Sequence, residues 1–252
     1  MNDSTLQGRP ANMPNEWAAG INSLATLHAA IGVNSNYTES WLDKFITQDS
    51  TCNAIKSSIR AIAQAYNIKT ILITGPSGHG KELLANALHW RPSHPFVPVN
   101  CAAIPETLLT SLLFGHVKGT FTGATEDRPG VFEAAGEGTV FLDEIGDMPE
   151  YQQCALLRVL DQRQVIRLGS VEPIRLQCRI IAATNAPDKL RADIFGRLMA
   201  VHYNIPPLSI RPIDIELIAN SLNITGPFND NQLRTYGVRY LQALATRKLI
   251  GL

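Results

Sequence analysis

The chain has 252 residues, enough for one large domain or two small ones, and its hydrophobic content of 45% is sufficient for an extended core. Lys and Arg total 22, and Asp and Glu also total 22, so the formal net charge is zero. This balance argues against a polybasic nucleic-acid tail or a charged membrane-surface patch.

The cysteine pattern indicates a reducing compartment, and the lengths of the apolar runs argue against a membrane span. The cysteines are scattered without a C-x-x-C pair, so we interpret them as core thiols and exclude a disulfide framework or a zinc site. No apolar run approaches the ~20 residues of a membrane span. Residues 1–20 lack a basic start followed by an apolar run. We therefore expect a cytoplasmic protein without membrane contact. The cysteines are Cys52, Cys101, Cys154 and Cys178.

Residues 1–44 are predicted to form a leader that contains short amphipathic helices. A first helix is predicted from apolar residues that recur near one helical face between Trp17 and Ile31. A second is predicted from Trp41 to Ile46, with Thr38 or Ser40 as its cap. Packing and partner contact are both possible roles, and we favour packing.

The stretch from Ile71 to Glu82 indicates a nucleotide-binding loop. It begins as an apolar, β-branched run, becomes rich in glycine, and enters a helical pattern at Lys81. In the pattern G-x-x-x-x-G-K, glycines let backbone N–H groups point at phosphate, the lysine reaches the terminal phosphates, and the helix N-terminus adds positive dipole. Glu82 stands where Ser or Thr normally contacts Mg²⁺. A plain glycine turn is the alternative, and the strand–loop–helix context favours the nucleotide site. We call residues 75–82 the phosphate loop.

Further apolar runs predict strands that alternate with helices. A helix at residues 55–66, capped by Ser50 or Thr51, precedes the first strand, and others are predicted over 105–113 and 149–163. The alternation predicts an α/β fold with a doubly wound, mainly parallel sheet. The predicted strands at residues 96–99, 138–144 and 177–183 end at or just before polar residues. Ligands of such sheets bind at the carboxyl ends of the strands, where we expect Gly75, Asp143, Glu144 and Asn185 to converge.

These residues suit phosphoryl chemistry. Lys81 would neutralise the β- and γ-phosphates, and Asp143 would bind Mg²⁺ directly or through water. Glu144 would be the base that orients or activates a water molecule, and Asn185 would polarise that water or sense the γ-phosphate. Two adjacent acids can also form a plain solvated loop. The apolar strand before them and the phosphate loop favour catalysis.

Two other features of the sequence are less specific by themselves. Arg191 and Arg197 lie six residues apart, which does not place them on one helical face. Either could reach the γ-phosphate bound by a neighbouring subunit. An arginine supplied from outside the site stabilises the charge of the phosphoryl-transfer transition state. Spacing alone favours surface ion pairs instead. Between residues 115 and 123, three glycines surround Phe121, which suits a hinged loop that presents this aromatic side chain at its tip.

Together these residues resemble the central AAA+ ATPase domain of the bacterial sigma-54-dependent transcription activators, also called enhancer-binding proteins. The most specific match is Gly119 to Ala124, which resembles the family's Gly-Ala-Phe-Thr-Gly-Ala loop with Thr120 in place of the first alanine. We call residues 119–124 the aromatic loop. Glu82 after Lys81 is also this family's version of the phosphate loop. The resemblance covers about residues 45–218. Further matches are Asn100 to Ala103, Leu113 to His116, Gly138 to Met148 and Leu156 to Leu160.

The resemblance implies an AAA+ P-loop NTPase fold over residues 45–205, followed by a partial helical lid over 206–252. It also implies ATP and Mg²⁺ as ligands, with Asp143 at the metal. Asp143 and Glu144 would be the Walker B acids, and Asn100 the switch asparagine that holds the catalytic glutamate. Asn185 would be sensor I, and Arg191 and Arg197 arginine fingers that act in the neighbouring subunit. The Walker A residues would be Gly75, Pro76, Ser77, Gly78, His79, Gly80, Lys81 and Glu82. Contact with sigma-54 would come from Gly119, Thr120, Phe121, Thr122, Gly123 and Ala124.

The resemblance further implies rings, usually hexamers, that remodel the closed sigma-54 RNA polymerase complex when ATP is hydrolysed. The sequence departs from the family in three places. The connection from Asn185 to Arg191 is short, and the lid pattern is degenerate, with Arg239 as the candidate sensor II arginine. No helix-turn-helix follows, so we expect no DNA-binding module in the chain.

Three hypotheses follow from the sequence. The first is an ATP-hydrolysing activator that remodels sigma-54 RNA polymerase through its GTFTGA loop. The second is a regulatory subunit that binds ATP, hydrolyses it weakly or not at all, and co-assembles with another activator. The third is an AAA+ remodeller of another substrate, which the presence of Phe121 and Thr122 disfavours.

Overall fold

The computed structural model describes residues 37–249. The helix predicted between Trp17 and Ile31 lies outside these residues. Within them, no helix has both the length and the apolar character needed to cross a membrane.

A five-stranded parallel sheet in the order β2-β5-β8-β1-β9 forms the centre of the chain. The chain runs from β1 to the edge strand β2, returns through β5 and β8, and adds β9 on the far side of β1. The short β9 was not predicted from the sequence. The strands are β1 (Thr70–Thr74), β2 (Phe96–Asn100), β5 (Thr139–Asp143), β8 (Arg179–Thr184) and β9 (His202–Asn204).

Each strand divides its side chains between two hydrophobic clusters, because successive residues of a strand point to opposite faces. In β1, Ile71 and Ile73 belong to one cluster and Leu72 to the other. In β8, Ile181 joins the cluster of Ile71, and Ile180 joins that of Leu72. Burial on both sides explains why these strands are continuous apolar runs in the sequence.

Helices cover both faces of the sheet, which confirms the doubly wound α/β fold. On the face of Ile71 lie α1 (Tyr37–Lys44), α2 (Ser50–Ala63) and α3 (Lys81–Ala87). On the face of Leu72 lie α4 (Glu106–Phe114), α5 (Val131–Ala134), α6 (Glu150–Gln162) and α7 (Ala192–Leu198).

Two predicted helix starts are wrong. Tyr37 is already helical and buried, so α1 begins before the predicted caps Thr38 and Ser40. Its residues Trp41 and Leu42 are buried in the same cluster as β1.

The second wrong start is that of α2. Asp49 caps this helix by accepting a hydrogen bond from the Cys52 N–H at 2.9 Å. Ser50 and Thr51, the predicted caps, are therefore the first two residues of the helix.

Two small hairpins lie beside each other outside the main sheet. The first pairs β3 (Gly115–His116) with β4 (Arg128–Pro129), and its connection contains the aromatic loop. The second hairpin, residues 164–175, pairs β6 (Gln164–Ile166) with β7 (Pro173–Arg175). His116 and Leu168 form a bridge between the two hairpins.

Residues after β9 form a helical unit with its own small core, whose buried side chains include Leu208, Ile218 and Leu233. We call its helices the lid helices. They are α8 (Pro212–Ser221), α9 (Asp230–Tyr236) and α10 (Val238–Leu249).

The cysteines are free thiols, and three of them are buried, as expected. Cys154 on α6 is exposed, so its prediction as a core thiol is wrong. No disulfide joins any pair.

Candidate functional site

The phosphate loop connects β1 to α3 and has a backbone that favours glycine. Gly75, Gly78 and Gly80 have φ angles of 148°, 78° and 93°. An L-residue with a side chain rarely adopts such angles, because its Cβ meets the neighbouring carbonyl. The glycines therefore permit the tight curl between strand and helix.

This curl leaves backbone donors available. Among residues 37–249, the N–H groups of Ser77, Gly78, His79 and Gly80 have no hydrogen-bond partner. Successive unpaired N–H groups that lead into a helix N-terminus favour an anion. The loop thus has the donor set that a phosphate chain requires.

Three parts of the fold enclose the phosphate loop closely. A Cβ atom on Gly75 would lie 2.7 Å from the Ile205 carbonyl oxygen, and one on Gly80 would lie 2.7 Å from the Phe45 ring. A Cβ atom on Gly78 would collide with the carbonyl oxygen of Tyr236, at the junction of α9 and α10. The loop is therefore held by the segment after β9, by the residue after α1 and by the lid helices.

Lys81 is buried, with 5% of its side chain exposed, and its ammonium group turns back onto the loop. Nζ donates to the carbonyl oxygens of Gly75 at 3.0 Å and Pro76 at 3.3 Å. It also lies 3.5 Å from Oε1 of Glu144. A buried cation beside unpaired N–H groups makes this end of the loop strongly attractive for phosphate.

Glu144 is the centre of a small polar network. Ser77 Oγ donates to its Oε1 at 3.0 Å, and the Asn185 backbone N–H donates to its Oε2 at 3.2 Å. The Asn185 side-chain amide in turn donates to Ser77 Oγ at 2.9 Å. The phosphate loop, the end of β5 and the end of β8 therefore meet at the carboxylate of Glu144. Ser77 was predicted only as part of the loop, and its side-chain role was missed.

The backbone at Glu144 is unusual. Its φ and ψ angles of 51° and 47° are left-handed, which costs a non-glycine residue about 1 kcal/mol or more. The conformation turns the chain sharply from β5 into the three-residue 3₁₀ turn Ile145–Asp147. This turn brings Glu144 back over the sheet end and towards Lys81.

Asp143 lies next to Glu144 at the end of β5. Its Oδ1 accepts a hydrogen bond from the Glu144 N–H at 3.1 Å. Burial, followed by the charge of Glu144, raises the pKa of Asp143 above its ordinary value. Within residues 37–249 no cluster of three His, Cys, Asp or Glu side chains could hold a metal by itself. A cation at Asp143 would complete its coordination with other oxygen atoms, such as those of water or phosphate.

Asn100 ends β2 directly beside Asp143 in the sheet register. Its Oδ1 accepts hydrogen bonds from Ala102 N at 3.0 Å and Ala103 N at 3.2 Å. Across the described part of the chain, it makes no hydrogen bond to Glu144. Ser77 and Asn185 hold the Glu144 carboxylate in this structure, and the nucleotide-dependent switch role of Asn100 stays a prediction.

Arg191 and Arg197 lie on the surface, outside the cavity lined by the phosphate loop. Arg191, just before α7, forms ion pairs with Glu150 at 2.7 Å and Asp193 at 2.9 Å. Arg197 pairs with Asp161 at 2.6 Å. The short connection after Asn185 forms the 3₁₀ turn Pro187–Lys189. Neither arginine serves the phosphate loop of its own chain.

The lid helices meet the phosphate loop at the start of α10. The Val238 N–H donates to the Gly78 carbonyl at 3.1 Å. Gly237 lies against the ring of His79, where an added Cβ atom would be 2.7 Å from the ring atoms. Arg239 follows on α10 and lines the cavity with Lys81. The structure therefore brings Arg239 to the phosphate loop despite the degenerate lid pattern.

The cavity between phosphate loop and lid helices has a volume of about 400 Å³. Its lining combines charged and apolar side chains, and two of the apolar ones, Phe45 and Val238, lie against the phosphate loop. Its polar lining includes Lys81, Asp143, Glu144, Arg211 and Arg239, and its apolar lining includes Phe45, Ile46, Ile218, Leu222 and Val238. This combination suits a ligand that has both charged and apolar parts.

A buried ion pair that was not predicted fastens the lid helices to the segment before α2. Asp214, with no exposed surface, accepts from Arg211 Nη1 at 2.9 Å and from Thr47 Oγ1 at 2.7 Å. Its other oxygen accepts from the Gln48 N–H at 2.6 Å. The only signal in the sequence is an Arg and an Asp three residues apart around Pro212, which is too common to be specific.

No residue of the aromatic loop lines this cavity. Phe121 is 45% exposed, and its ring packs edge-on against His116 at 4.9 Å between centroids. Gly119 and Gly123 have φ angles of 83° and 104°. An added Cβ atom at either would meet no heavy atom within 4 Å. Thr122 is exposed and Ala124 is buried.

Comparison with protein families places residues 45–204 in the Sigma-54 interaction domain. The chain belongs to this family. It is thus a member of the sigma-54-dependent transcription regulators, and the recognition made from the sequence is confirmed. Of the predicted site residues, only Arg239 lies outside the matched range.

Curated relatives of the sigma-54 interaction family include the regulatory protein AtoC of Escherichia coli, 49% identical over 170 residues. This match covers 64% of the chain and 36% of AtoC. The E. coli transcriptional regulatory protein GlrR is 45% identical over 194 residues, or 73% of the chain and 43% of GlrR. The chain spans about two-fifths of the length of these relatives.

A solved relative supports the AAA+ fold. NtrX from Brucella abortus, crystallised in complex with ATP, superposes with a TM-score of 0.67 at 31% identity. The match covers 81% of the chain and 52% of NtrX. The predicted AAA+ P-loop fold is confirmed.

Proposed function

We propose that this chain is the ATP-hydrolysing module of a transcription activator that remodels the closed complex of sigma-54 RNA polymerase. The observation that carries the proposal is the meeting of Lys81, Glu144 and Asn185 at the phosphate loop. The aromatic loop, on the same chain, supplies the partner contact.

The cavity fits ATP with Mg²⁺. The unpaired N–H groups of the phosphate loop and the buried Lys81 would hold the phosphates, while the apolar side chains of the lining would contact the base. Mg²⁺ in such sites is bound by one or two carboxylates together with phosphate oxygens. Asp143 fits that role because it is one carboxylate at the strand end, without a protein cage around it. When bound, the ion would neutralise charge that develops on the phosphates.

Hydrolysis requires a water molecule in line with the γ-phosphorus. The Glu144 carboxylate is positioned to accept a proton from that water as its oxygen attacks, and the bond from the γ-phosphorus to the β–γ bridging oxygen breaks to give ADP and phosphate. Ser77 and Asn185 orient the carboxylate through the bonds described above. Lys81 stabilises negative charge on the phosphate oxygens.

Neither Arg191 nor Arg197 lines the cavity of its own chain. Both stand on the surface, held in ion pairs by Glu150, Asp193 and Asp161. A neighbouring subunit in a ring, as a hexamer for example, would receive them at its own phosphate loop. An arginine that arrives in this way stabilises transition-state charge.

The first experiment measures the ATPase rate per subunit against protein concentration. We expect the rate to rise with concentration, because the arginines act between subunits. Glu144→Gln should reduce the rate roughly a hundredfold or more, the usual contribution of a general base. Glu216→Gln, an exposed carboxylate on α8, is the matched control and should not change it. Negligible turnover of the parent at high concentration would refute the proposal.

The second experiment addresses the partner. Phe121→Ala should abolish binding to sigma-54 and keep ATP turnover, because the ring is exposed and does not line the cavity. Leu108→Ala removes an exposed apolar side chain on α4, 61% exposed against 45% for Phe121, and should retain binding. Retained sigma-54 binding in Phe121→Ala would favour an AAA+ remodeller of another substrate.

A second candidate function follows from the ion pairs of the arginines. If Arg191 and Arg197 keep their partners in the assembly, the chain supplies no arginine to its neighbour. It would then be a weakly hydrolysing or non-hydrolysing subunit that binds ATP and co-assembles with another activator. Full turnover by the purified chain alone argues against this candidate.

A further inference from the structure

The hydroxyl group of Thr120 lies between two segments of the chain. Thr120 Oγ1 is 2.6 Å from the Val117 carbonyl oxygen and 3.0 Å from the Leu168 carbonyl oxygen. A hydroxyl has one proton, so it donates to one of these acceptors at a time or shares the proton between them. Val117 leads into the aromatic loop, whereas Leu168 belongs to the second hairpin. The hydroxyl therefore bridges the two.

The fit around this hydroxyl is close. Gly169 follows Leu168 with a φ angle of 78°, and a Cβ atom there would collide with Thr120 Oγ1. The same atom would lie 3.0 Å from a methyl carbon of Val117. The Thr120 side chain thus packs directly on the backbone of the second hairpin, in a space that only a glycine leaves open.

Backbone hydrogen bonds join the same two segments, but only at the entry to the loop. The Val117 N–H donates to the Leu168 carbonyl at 3.0 Å, and the Leu168 N–H donates to the Gly115 carbonyl at 2.9 Å. Thr120 extends this attachment by three residues, to the position immediately before Phe121. The alanine that the family's loop has at this position could make no such bond.

Exposed apolar side chains lie on both attached segments. Phe121 is 45% exposed on the aromatic loop, and Val171 is 88% exposed on the second hairpin. The Phe121 ring rests on His116, whose Nδ1 is 2.7 Å from Ser111 Oγ of α4. His116 thus supports the aromatic ring and also forms the bridge to Leu168 of the second hairpin.

We propose that Thr120 is a positioning residue that fastens the aromatic loop to the second hairpin, so that both present one surface to sigma-54. The identity of the partner rests on the proposed function, whereas the attachment of loop to hairpin does not.

Hydrogen–deuterium exchange on the whole chain tests the attachment. Thr120→Val keeps the shape and removes the donor, so amides of residues 117–124 and 168–170 should exchange roughly fivefold faster, as expected for one lost hydrogen bond. Thr120→Ser keeps the donor and should exchange like the parent. Unchanged exchange at β5 would show that the fold is intact. If Thr120→Val exchanges like the parent in both segments, the proposal is overturned.

Sigma-54 binding tests the consequence separately. Thr120→Val should weaken binding and Thr120→Ser should retain it. Equal binding by the parent and Thr120→Val, together with faster exchange, would overturn the single-surface part of the proposal. If the parent itself does not bind sigma-54, the proposed function fails, and the exchange experiment still decides the role of Thr120.

Discussion

The phosphate loop and the aromatic loop are both rich in glycine with left-handed backbone angles, yet their surroundings differ. Gly75, Gly78 and Gly80 have no room for a side chain, because Ile205, Tyr236 and Phe45 lie against them. Around Gly119 and Gly123 there is open space within 4 Å. In the phosphate loop, glycine is required both because neighbouring atoms leave no room for a side chain and because of the backbone angles. In the aromatic loop, only the backbone angles require it.

Under the proposed function, this difference between the two loops has a functional meaning. A loop that must present N–H groups to phosphate needs one fixed shape, and the fold provides it by packing three separate segments around the loop. A loop that must engage a partner needs room to change shape. The fold leaves that room at Gly119 and Gly123 and restrains the loop mainly through Thr120 and Phe121.

Among the substitutions that test this difference between the two loops, Asp214→Ala should have the largest effect on stability. Removing this carboxylate leaves Arg211 buried without its charge partner, which costs about 3–5 kcal/mol of unfolding free energy. The lid helices then lose their bond to residues 47–49, so hydrogen exchange should rise at the phosphate loop more than at the aromatic loop. Urea unfolding measures the cost, and Glu216→Ala on the same helix is the control. Equal increases in both loops would contradict the idea that the lid fixes only the first.

Gly78→Ala should have the next largest effect. The new methyl group adds left-handed strain and collides with the Tyr236 carbonyl, so we expect a loss of about 2–4 kcal/mol. Nucleotide affinity should fall as well, because relief of the collision moves the start of α10 away from the loop. Thermal unfolding and a titration with nucleotide measure the two effects.

Gly119→Ala is the matched substitution in the aromatic loop and should have a smaller effect. Only the backbone strain applies there, about 1 kcal/mol, because no atom obstructs the methyl group. Nucleotide affinity should equal that of the parent. A loss as large as that of Gly78→Ala would show that open space does not distinguish the two loops.

The contribution of His79 to the pH dependence of stability should be the smallest of these effects, since His79 is protonated only at acid pH. Burial lowers the pKa of His79 below the ordinary 6.5, so the folded chain binds its proton less readily than the unfolded chain. The free energy of unfolding should therefore fall as the pH drops through about 6.5 towards the lowered pKa. Thermal midpoints of the parent and His79→Gln, compared between about pH 8 and pH 5, isolate this contribution. A parent that gains stability on acidification relative to the variant would reverse the predicted sign.

The sequence was informative where a local pattern has one structural meaning. Gly75, Asp143 and Asn185 stand at or just after the carboxyl ends of parallel strands, so they had to meet at one edge of the sheet, and they do. The degenerate lid still places Arg239 at the cavity, because the turn at Gly237 and the buried face of α10 remain. Those features depend on backbone conformation and hydrophobic spacing, which a sequence displays directly.

The sequence was less informative where tertiary contacts decide. Asp49 rather than Ser50 caps α2, since the chain already hydrogen-bonds to Asp214 at that point and this fixes its direction. The strand β9 has three residues, and it is stabilised by pairing with β1 and by the burial of Tyr203 in the core. The hydrogen bond from Ser77 to Glu144 joins residues 67 positions apart, a relation that no local pattern records.

The exposure of Cys154 has a practical consequence for thiol chemistry. The other three thiols are buried, and burial raises the pKa of Cys52, Cys101 and Cys178 to about 11, 12 and 11, so few of them are reactive thiolates near neutral pH. A maleimide dye would therefore attach first to Cys154. That residue lies one helical turn from Glu150, the ion-pair partner of Arg191. A fluorophore at this position, on the unaltered chain, would report the arrival of a neighbouring subunit at Arg191 if the proposed ring forms.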